Sequence, residues 1–202
     1  MKVQTDSTRD HILTTGRALV AQRGFTGMGL TELLKTASVP KGSFYHYFAS
    51  KEDFGCKLLE QYLAQYGETL DGILEDHTTP ARVRLLNYWS LWISAQTSDE
   101  ACTQCLIVKI GAEVSDISDE MRRLLEAGTQ GICSRLSKTI ADGQRDGSIA
   151  GEVEPHLVGP ALYQMWLGAS LMAKLSRKPE PLQQAMQATL ALLPEPSQPG
   201  PN

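Results

Sequence analysis

The chain has 202 residues, of which 42% are hydrophobic and 21% charged, so we expect one or two folded domains and exclude a disordered or fibrous protein. It contains no run of about 18 apolar residues and no N-terminal signal-peptide pattern, which predicts a cytoplasmic protein without a membrane partner. Residues 1–51 carry seven Lys or Arg against three Asp or Glu, a formal +4, whereas the whole chain is −4 and the remainder therefore −8; a basic N-terminal segment predicts a polyanionic partner, although uneven charge also arises by chance.

Helical periodicity dominates the sequence: apolar residues recur at spacings of three and four, and period-two alternation is almost absent. This pattern predicts an all-α fold. Asp6 or Ser7 is expected to cap the first helix and Gly24 to end it. Two short helices are predicted next, over residues 30–37 and 41–48, with a tight turn between them.

Longer helices are predicted in the rest of the chain. A fourth helix is expected over residues 51–67, and the segments after Pro80 with helical periodicity are residues 81–97, 103–114, 118–142, 156–177 and 181–193. We therefore predict a small three-helix domain over residues 1–50, a larger helical domain over residues 51–194, and a disordered, proline-rich tail over residues 195–202.

The third predicted helix, KGSFYHYF, has the composition of a helix that binds in the major groove of DNA. Phe44 and Phe48 lie four residues apart and share one face, which would pack on the domain core. Gly42 permits close approach of the helix N-terminus to a phosphate, and Lys51 begins the next helix in a similar position. The alternative is that the two tyrosines only pack and the lysine is only solvated. The side chains left for bases and phosphates are Lys41, Ser43, Tyr45, His46 and Tyr47.

The segment GFTGMGLTELLKTASVPKGSFYHYFASKEDF resembles the DNA-binding signature of the TetR family of transcriptional repressors, in which a Gly-Phe turn and a short helix precede Lys-Gly-[Ser/Thr]-x-Tyr-x-Tyr-Phe-x-Ser-Lys-Glu. The resemblance implies an all-α, TetR-like fold with an N-terminal helix-turn-helix domain and a larger helical regulatory and dimerisation domain. It also implies a homodimer whose two recognition helices bind half-sites of a pseudo-palindromic double-stranded DNA operator. The residues it assigns to DNA contacts are Lys41, Gly42, Ser43, Tyr45, His46, Tyr47 and Lys51.

The sequence departs from the family pattern around the turn and the second helix. Ser38 stands where the turn often has Gly, so we expect backbone strain there, and Pro40 removes the side-chain hydrogen bond of the usual Ser-type cap. Met28 and Gly29 stand in the usual Thr/Ser region before the second helix. We expect Thr31 to supply the hydroxyl for a phosphate contact instead.

Small residues at helical spacings mark residues 118–142 and 156–177 as the candidate dimer interface, because they let two helices approach closely. The family also pairs two late helices in a four-helix bundle, and these segments match by order. The alternative is that the small residues pack only within one subunit. The residues concerned are Ala127, Gly128, Gly131, Gly159, Gly168, Ala169 and Ala173.

Four cysteines are too few for a disulfide framework, and we expect reduced thiols. Cys102 and Cys105 form a C-x-x-C pair, but no second pair or His motif accompanies it and the chain lacks a βαβ pattern, so we predict no metal and no cofactor. Lys109 lies one helical turn after Cys105, and Lys174 is a cation in an otherwise apolar run. A nearby cation and a helix N-terminus both favour a thiolate. The alternative is an ordinary buried cysteine and a lysine whose ammonium reaches solvent.

The segments CLIVK from residue 105, AEVSDISDEMR and MWLGASLMAKLSR resemble the N-ethylmaleimide reductase repressor (NemR) branch of the TetR family. The resemblance implies that Cys105 senses small reactive electrophiles and oxidants, and that Cys102 or Lys174 captures its sulfenic acid. We therefore predict a repressor, not an enzyme, that releases its operator when Cys105 is modified. The helix over residues 51–67 is expected to link the sensor to the DNA-binding domain.

Two alternatives stay open. A thiol oxidoreductase using the C-x-x-C pair belongs to another class, and it lacks a cofactor motif. A TetR-family repressor could instead bind a non-covalent lipophilic or aromatic ligand, although large aromatic residues are more often core. The aromatic residues that would line its pocket are Tyr88, Trp89, Trp92 and Trp166.

Overall fold

The computed structural model describes residues 2–98 and 105–196, and within those ranges all regular secondary structure is α-helical, as predicted. The helices in chain order are α1 (Lys2–Arg23), α2 (Leu30–Thr36), α3 (Lys41–Tyr47), α4 (Lys51–Leu74), α5 (Ala81–Thr97), α6 (Leu106–Ile117), α7 (Asp119–Asp146), α8 (Pro155–Ser176) and α9 (Glu180–Leu192).

The three N-terminal helices agree with the predicted pattern except at the start of α1. Its backbone is helical from Lys2, so the predicted cap at Asp6 or Ser7 is wrong. Neither Pro nor Gly lies between Lys2 and Ser7, and extending an existing helix costs little once its first turn has formed. Gly24 ends α1 as predicted, because it adopts φ +80° and its N–H closes the last turn at 2.9 Å.

Three helices extend beyond their predicted ends. α6 reaches Ile117 rather than residue 114. α4 reaches Leu74 rather than residue 67, because the apolar periodicity continues and Leu70 and Leu74 are both buried. α7 reaches Asp146, where Gly147 adopts φ +74° and ends the helix. In these helices the residues that face the core continue past isolated internal glycines, so those glycines do not end the helix.

One compact unit comprises Met1–Gln65 and Ser98–Gly128. Its apolar core joins α1, α2, α3 and the first part of α4 to α6 and the start of α7. The rings of Phe44, Phe48 and Phe54 pack in this core with centroids 5.0–5.6 Å apart. The helix that follows the predicted sensor cysteine therefore packs directly with the helices of the predicted DNA-binding domain.

The other compact unit comprises Tyr66–Thr97 and Thr129–Asn202, and its core is aromatic. Trp89 and Trp166 stack with centroids 4.7 Å apart and planes 5° from parallel. Trp166 also donates its indole N–H to Thr189 Oγ1 at 2.9 Å. These contacts hold α5 against α8 and α8 against α9.

This division by packing differs from the predicted functional division at residue 50, because α6 packs with the N-terminal helices. The functional boundaries at residues 50 and 194 stay predictions. Of the predicted disordered tail, residues 197–202 lie outside the described part of the chain.

Candidate DNA-binding surface and sensor site

Helix α3 presents an apolar face to the core and a polar face to solvent. Phe44 and Phe48 are buried, as predicted for the packed face, with ring centroids 5.0 Å apart. Pro40 precedes the helix in an extended conformation (φ −69°, ψ 152°) without a side-chain cap, which confirms the expected loss of that hydrogen bond. The two phenylalanines, rather than an N-cap, therefore place this helix on the domain.

The polar face of α3 contains most of the residues that we predicted to contact DNA. Tyr45 is 51% exposed, and Lys41 and His46 are also exposed. The Lys41 Nζ lies 5.9 Å from the Tyr45 ring centroid, within cation–π range. Ser43 is half-buried, and the half-buried Tyr47 packs against the core. The polar face thus offers an ammonium, a phenol and an imidazole to solvent, whereas the Tyr47 side chain is shared between the core and the surface.

The other residues predicted to contact DNA lie beside α3 and differ in their surroundings. A Cβ on Gly42 would meet no atom within 4 Å, so packing within the subunit does not require glycine there. Thr31 is exposed on α2. The Lys51 Nζ lies 3.4 Å from the Thr26 carbonyl oxygen, and burial lowers its pKa although the nearby Glu113 carboxylate acts in the opposite direction. The Lys51 ammonium is therefore held beside the turn that follows α1.

The turn between α2 and α3 has the strain expected from its sequence. Ser38 adopts φ 54°, a left-handed conformation that a glycine would adopt at lower cost. The Val39 N–H donates to the Leu34 carbonyl at 3.1 Å, and the His11 Nε2 lies 3.0 Å from the Ala37 carbonyl oxygen. Contacts with α1 and α2 therefore hold this turn despite the unfavourable backbone angle.

Cys105 lies at the start of α6, as predicted, and its side chain is 8% exposed. It precedes the helix in an extended conformation (φ −61°, ψ 116°). The Tyr62 hydroxyl donates to Cys105 Sγ at 3.8 Å and accepts the backbone N–H of Leu106 at 3.2 Å. The thiol therefore lies between the positive end of a helix dipole and a phenol.

Tyr62 is a residue that the sequence interpretation missed. It fits the apolar periodicity of α4 and is 4% exposed, so its pattern is that of any core aromatic. The sequence could have indicated that Tyr62 has a hydrogen-bond partner, because a buried tyrosine hydroxyl needs one. The sequence does not reveal that the partner lies 43 residues away.

Helix α6 is also hydrogen-bonded to the turn that follows α1. The Glu113 carboxylate accepts the backbone N–H groups of Phe25 at 3.1 Å and Thr26 at 2.5 Å. Burial opposes ionisation of Glu113, but the bonds from Thr26 and Phe25 and the nearby Lys109 together hold its pKa below the usual value. The Lys109 ammonium donates to the Gln22 carbonyl at 3.1 Å. The structure thus gives Lys109 a partner on α1 in addition to its predicted proximity to the thiol.

The roles of the other predicted sensor residues, Cys102 and Lys174, stay predictions. Cys102 lies outside the described residues. Lys174 is exposed near the C-terminal end of α8, in the unit that contains Trp166. Burial first, and then the carboxylates of α4 and α7, raise the pKa of Cys56 to about 11, and burial also raises the pKa of Cys133. These two thiols are therefore poor nucleophiles at neutral pH.

The aromatic residues of the alternative ligand pocket pack on one another. Trp89 and Trp166 are fully buried and stack, and Tyr88 lies 4.4 Å from Trp89 between ring centroids. Trp92 donates its indole N–H to Ser170 Oγ at 2.8 Å. In this structure the four rings are buried and form part of the core of their unit.

Two negative findings apply to the described residues alone. Within residues 2–98 and 105–196, no group of three His, Cys, Asp or Glu side chains is placed to hold a metal ion. No helix in the same ranges combines the length and apolar character that crossing a bilayer requires.

Two family models match the chain. The model for bacterial regulatory proteins of the tetR family matches residues 12–54, and the model for the tetracyclin repressor-like C-terminal domain matches residues 81–189. The first match covers α2, α3 and most of α1, and the second covers α5 to α8 and most of α9.

Curated relatives and a solved structure agree with these matches. The HTH-type transcriptional repressor NemR of Escherichia coli (strain K12) is 45% identical over 89% of this chain and 90% of its own length. The HTH-type transcriptional repressor DhaR of Mycobacterium sp. (strain GP1) is 34% identical over 92% of each chain. The crystal structure of E. coli NemR in its reduced form superimposes with a TM-score of 0.90 at 43% identity, covering 95% of this chain and 100% of that one.

Proposed function

The chain belongs to the TetR family of transcriptional repressors, and we propose that it binds its operator as a homodimer and releases it when a small electrophile or oxidant modifies Cys105. Members of this family are regulators rather than enzymes, so the thiol oxidoreductase alternative is wrong. One observation supports the sensing step above the others. Cys105 immediately precedes α6, and Glu113 in the second turn of α6 accepts hydrogen bonds from the turn that follows α1.

Operator binding is assigned to the polar face of α3. The face exposes a cation, a phenol and an imidazole at adjacent positions, and side chains of these types bind phosphates and base edges. The predicted contacts of Gly42, Ser43, Tyr47, Lys51 and Thr31 are kept as proposals. The open space at Gly42 is consistent with a close approach of the DNA backbone.

Dimerisation is assigned to α8, within the predicted segment 156–177. Four of its apolar side chains are exposed in the single subunit, and solvent exposure of several large apolar groups on one helix favours burial against a partner. A Cβ on Gly168 would meet no atom within 4 Å. The exposed apolar side chains of α8 are Leu157, Leu171, Met172 and Leu175.

In the other predicted interface segment, 118–142, packing within the subunit accounts for one of the small residues. A Cβ on Gly128 would lie 2.5 Å from the Leu63 side chain, so glycine is required there by packing on α4. Gly159 of α8 has the same explanation, because its Cβ would lie 2.5 Å from Ser137 Oγ. These two glycines thus support the alternative that small residues pack inside one subunit.

Release follows from the burial of the sensor. Adding a substituent to a thiol that is 8% exposed requires Tyr62 or the first turn of α6 to move, because close-packed interiors hold no spare volume. α6 is bonded through Glu113 to the Phe25 and Thr26 N–H groups, so its displacement reaches the helix-turn-helix. We therefore assign the link to α6 as well as to α4, the helix predicted from the sequence. Cys102 and Lys174 stay proposed partners for an oxidised Cys105.

The test is a gel-shift measurement with reduced protein and DNA from its own promoter at fixed salt, with and without N-ethylmaleimide or hypochlorite. We expect treatment to abolish binding by the wild type and to leave binding by Cys105→Ser intact. A cost of about 3 kcal/mol to the DNA-binding state would weaken affinity by roughly 100-fold. Cys56→Ser is the matched control and should respond like the wild type, because Cys56 is buried with a raised pKa.

Two other results would assign the function differently. Continued release of Cys105→Ser by the reagents would place the sensor at another residue. Binding by the wild type that both reagents leave unchanged would favour the non-covalent ligand instead.

A further inference from the structure

The proposed reaction uses Cys105 as a thiolate, and the structure places a hydrogen-bond donor against its sulfur. We propose that Tyr62 is a positioning residue for sensing, whose hydroxyl donates to the Cys105 sulfur and stabilises the thiolate that attacks an electrophile. The oxygen and the sulfur lie 3.8 Å apart, and both side chains are buried. This inference rests on the proposed function and adds a residue to it.

The direction of the Tyr62 hydroxyl follows from its second contact. The Leu106 backbone N–H donates to Tyr62 Oη at 3.2 Å, so this oxygen already acts as an acceptor and its single proton is left for the sulfur. Hydrogen bonds in series polarise one another, which makes a hydroxyl that accepts a bond a stronger donor. The same N–H belongs to the first turn of α6, so the hydroxyl couples the helix end to the thiol.

A cation lies over the ring that carries this hydroxyl. The Arg17 guanidinium carbon is 5.0 Å from the Tyr62 ring centroid, and Arg17 Nη1 donates to Gln65 Oε1 at 3.1 Å. A positive charge near the phenol strengthens its O–H as a donor and favours negative charge on the sulfur beyond it.

The other helices packed in this core contribute differently. Lys109, the charged residue of α6 that lies one turn after Cys105, donates to the Gln22 carbonyl of α1. α7 contributes the apolar side chains of Met121 and Leu125 to the same core. Tyr62 from α4 contacts the sulfur, and Arg17 from α1 contacts the Tyr62 ring.

The reaction balances without an oxidant when the probe is N-ethylmaleimide. Ionisation releases the thiol proton to solvent. The Cys105 thiolate then forms a C–S bond to one alkene carbon of the probe, and the π-electron pair moves to the adjacent carbon as an enolate. That carbon takes one proton from water, so the product is a thioether. Tyr62 keeps its own proton and contributes by stabilising the thiolate.

The test measures the second-order rate of N-ethylmaleimide addition to Cys105 between about pH 5 and pH 9. Mass spectrometry of the peptide that contains Cys105 separates this reaction from that of the other cysteines. In Tyr62→Phe we expect the midpoint of the rate profile to rise by about one pH unit. The rate below the midpoint then falls about tenfold, which equals about 1.4 kcal/mol, and the two profiles converge above it. A packing defect alone would change the rate by one factor at every pH.

Tyr66→Phe is the matched control, because its hydroxyl lies 2.6 Å from Tyr88 Oη, and its midpoint should equal that of the wild type. Arg17→Gln keeps the Tyr62 hydroxyl and should raise the midpoint by roughly half a unit, or about threefold in rate. A folded Tyr62→Phe protein with the wild-type profile would overturn the proposal. If circular dichroism shows that Tyr62→Phe is unfolded, an unshifted Arg17→Gln profile overturns it.

The rate profile and the gel shift test different claims, so the failure of one can be told from the failure of the other. If N-ethylmaleimide still releases Cys105→Ser from DNA, the proposed function fails whatever the rate profile of Tyr62→Phe is. If release requires Cys105 but the Tyr62→Phe profile is unchanged, only the role of Tyr62 is overturned.

Discussion

Tyr45 combines exposure with a position beside Lys41, so it tests DNA binding without disturbing the core. Tyr45 is 51% exposed, and its ring meets that of Phe44 in a T-shaped contact with centroids 5.4 Å apart. We expect Tyr45→Ala to weaken operator binding by about 1–3 kcal/mol, as for other groove contacts, with little change in thermal stability. Fluorescence anisotropy with labelled operator at fixed salt measures the affinity, and thermal unfolding checks the fold.

The salt dependence of binding separates the two kinds of DNA interaction around Tyr45. Lys41→Ala should weaken binding to all sequences and reduce the slope of log affinity against log salt by about 1, because one phosphate is then no longer neutralised by the protein. Lys57→Ala is the control, because Lys57 is a partly exposed lysine of α4 paired with Glu60 at 3.0 Å. Unchanged affinity in both Tyr45→Ala and Lys41→Ala would remove the assignment of α3 as the recognition helix.

The residues of the site could be predicted where their roles depend on neighbours in sequence. The burial of Phe44 and Phe48 follows from helical spacing, and the strain at Ser38 follows from a turn that needs a positive φ. The contact between Tyr62 and Cys105 joins residues 43 positions apart, so it depends on how α4 and α6 pack. No periodicity in the sequence distinguishes Tyr62 from an ordinary core residue.

Helix α6 connects the predicted sensor cysteine to the turn that follows α1, although these two parts are far apart in the sequence. Cys105 immediately precedes α6, and the second turn of α6 contains Glu113, whose carboxylate accepts the N–H groups of Phe25 and Thr26. The sequence predicted α4 as the link because α4 is continuous with the DNA-binding domain. It could not predict α6, because a carboxylate that bonds to backbone N–H groups 87 and 88 residues away has no pattern in the chain.

Glu113→Gln tests this link through stability and pH. The pKa of Glu113 is lowered in the folded protein, so its carboxylate stabilises the fold above its ordinary pKa of 4.5 and loses that contribution as the pH falls through the lowered value. We expect Glu113→Gln to lower the free energy of unfolding by about 1 kcal/mol at neutral pH. Denaturant unfolding should show this difference vanish in acid, below the lowered pKa.

The control for Glu113→Gln is Glu68→Gln, because Glu68 is exposed on α4. We expect this variant to have the free energy of unfolding of the wild type both at neutral pH and in acid. In the gel shift, alkylation of Cys105 should weaken operator binding less in Glu113→Gln than in the wild type, because one connection between α6 and the turn is reduced. Equal weakening in the two proteins would assign the link to another contact.

At the scale of the whole molecule, operator binding by two recognition helices requires a dimer, and the exposed apolar side chains of α8 are its proposed interface. Leu175 is 70% exposed in the single subunit. Leu175→Glu adds a charge that an apolar interface cannot solvate, so we expect it to dissociate the dimer. Sedimentation velocity should then show a monomer whose folding, by circular dichroism, matches that of the wild type.

Loss of the dimer should weaken operator binding by at least about 100-fold. In the dimer, binding of one recognition helix holds the second at a high effective concentration near its half-site, whereas a second monomer must bind from solution. Leu91→Glu is the matched control, since Leu91 is 55% exposed but lies on α5. This control should remain dimeric and bind DNA normally. A dimeric Leu175→Glu protein would move the interface away from the C-terminal end of α8, whereas a monomer with full operator affinity would show that one recognition helix is sufficient.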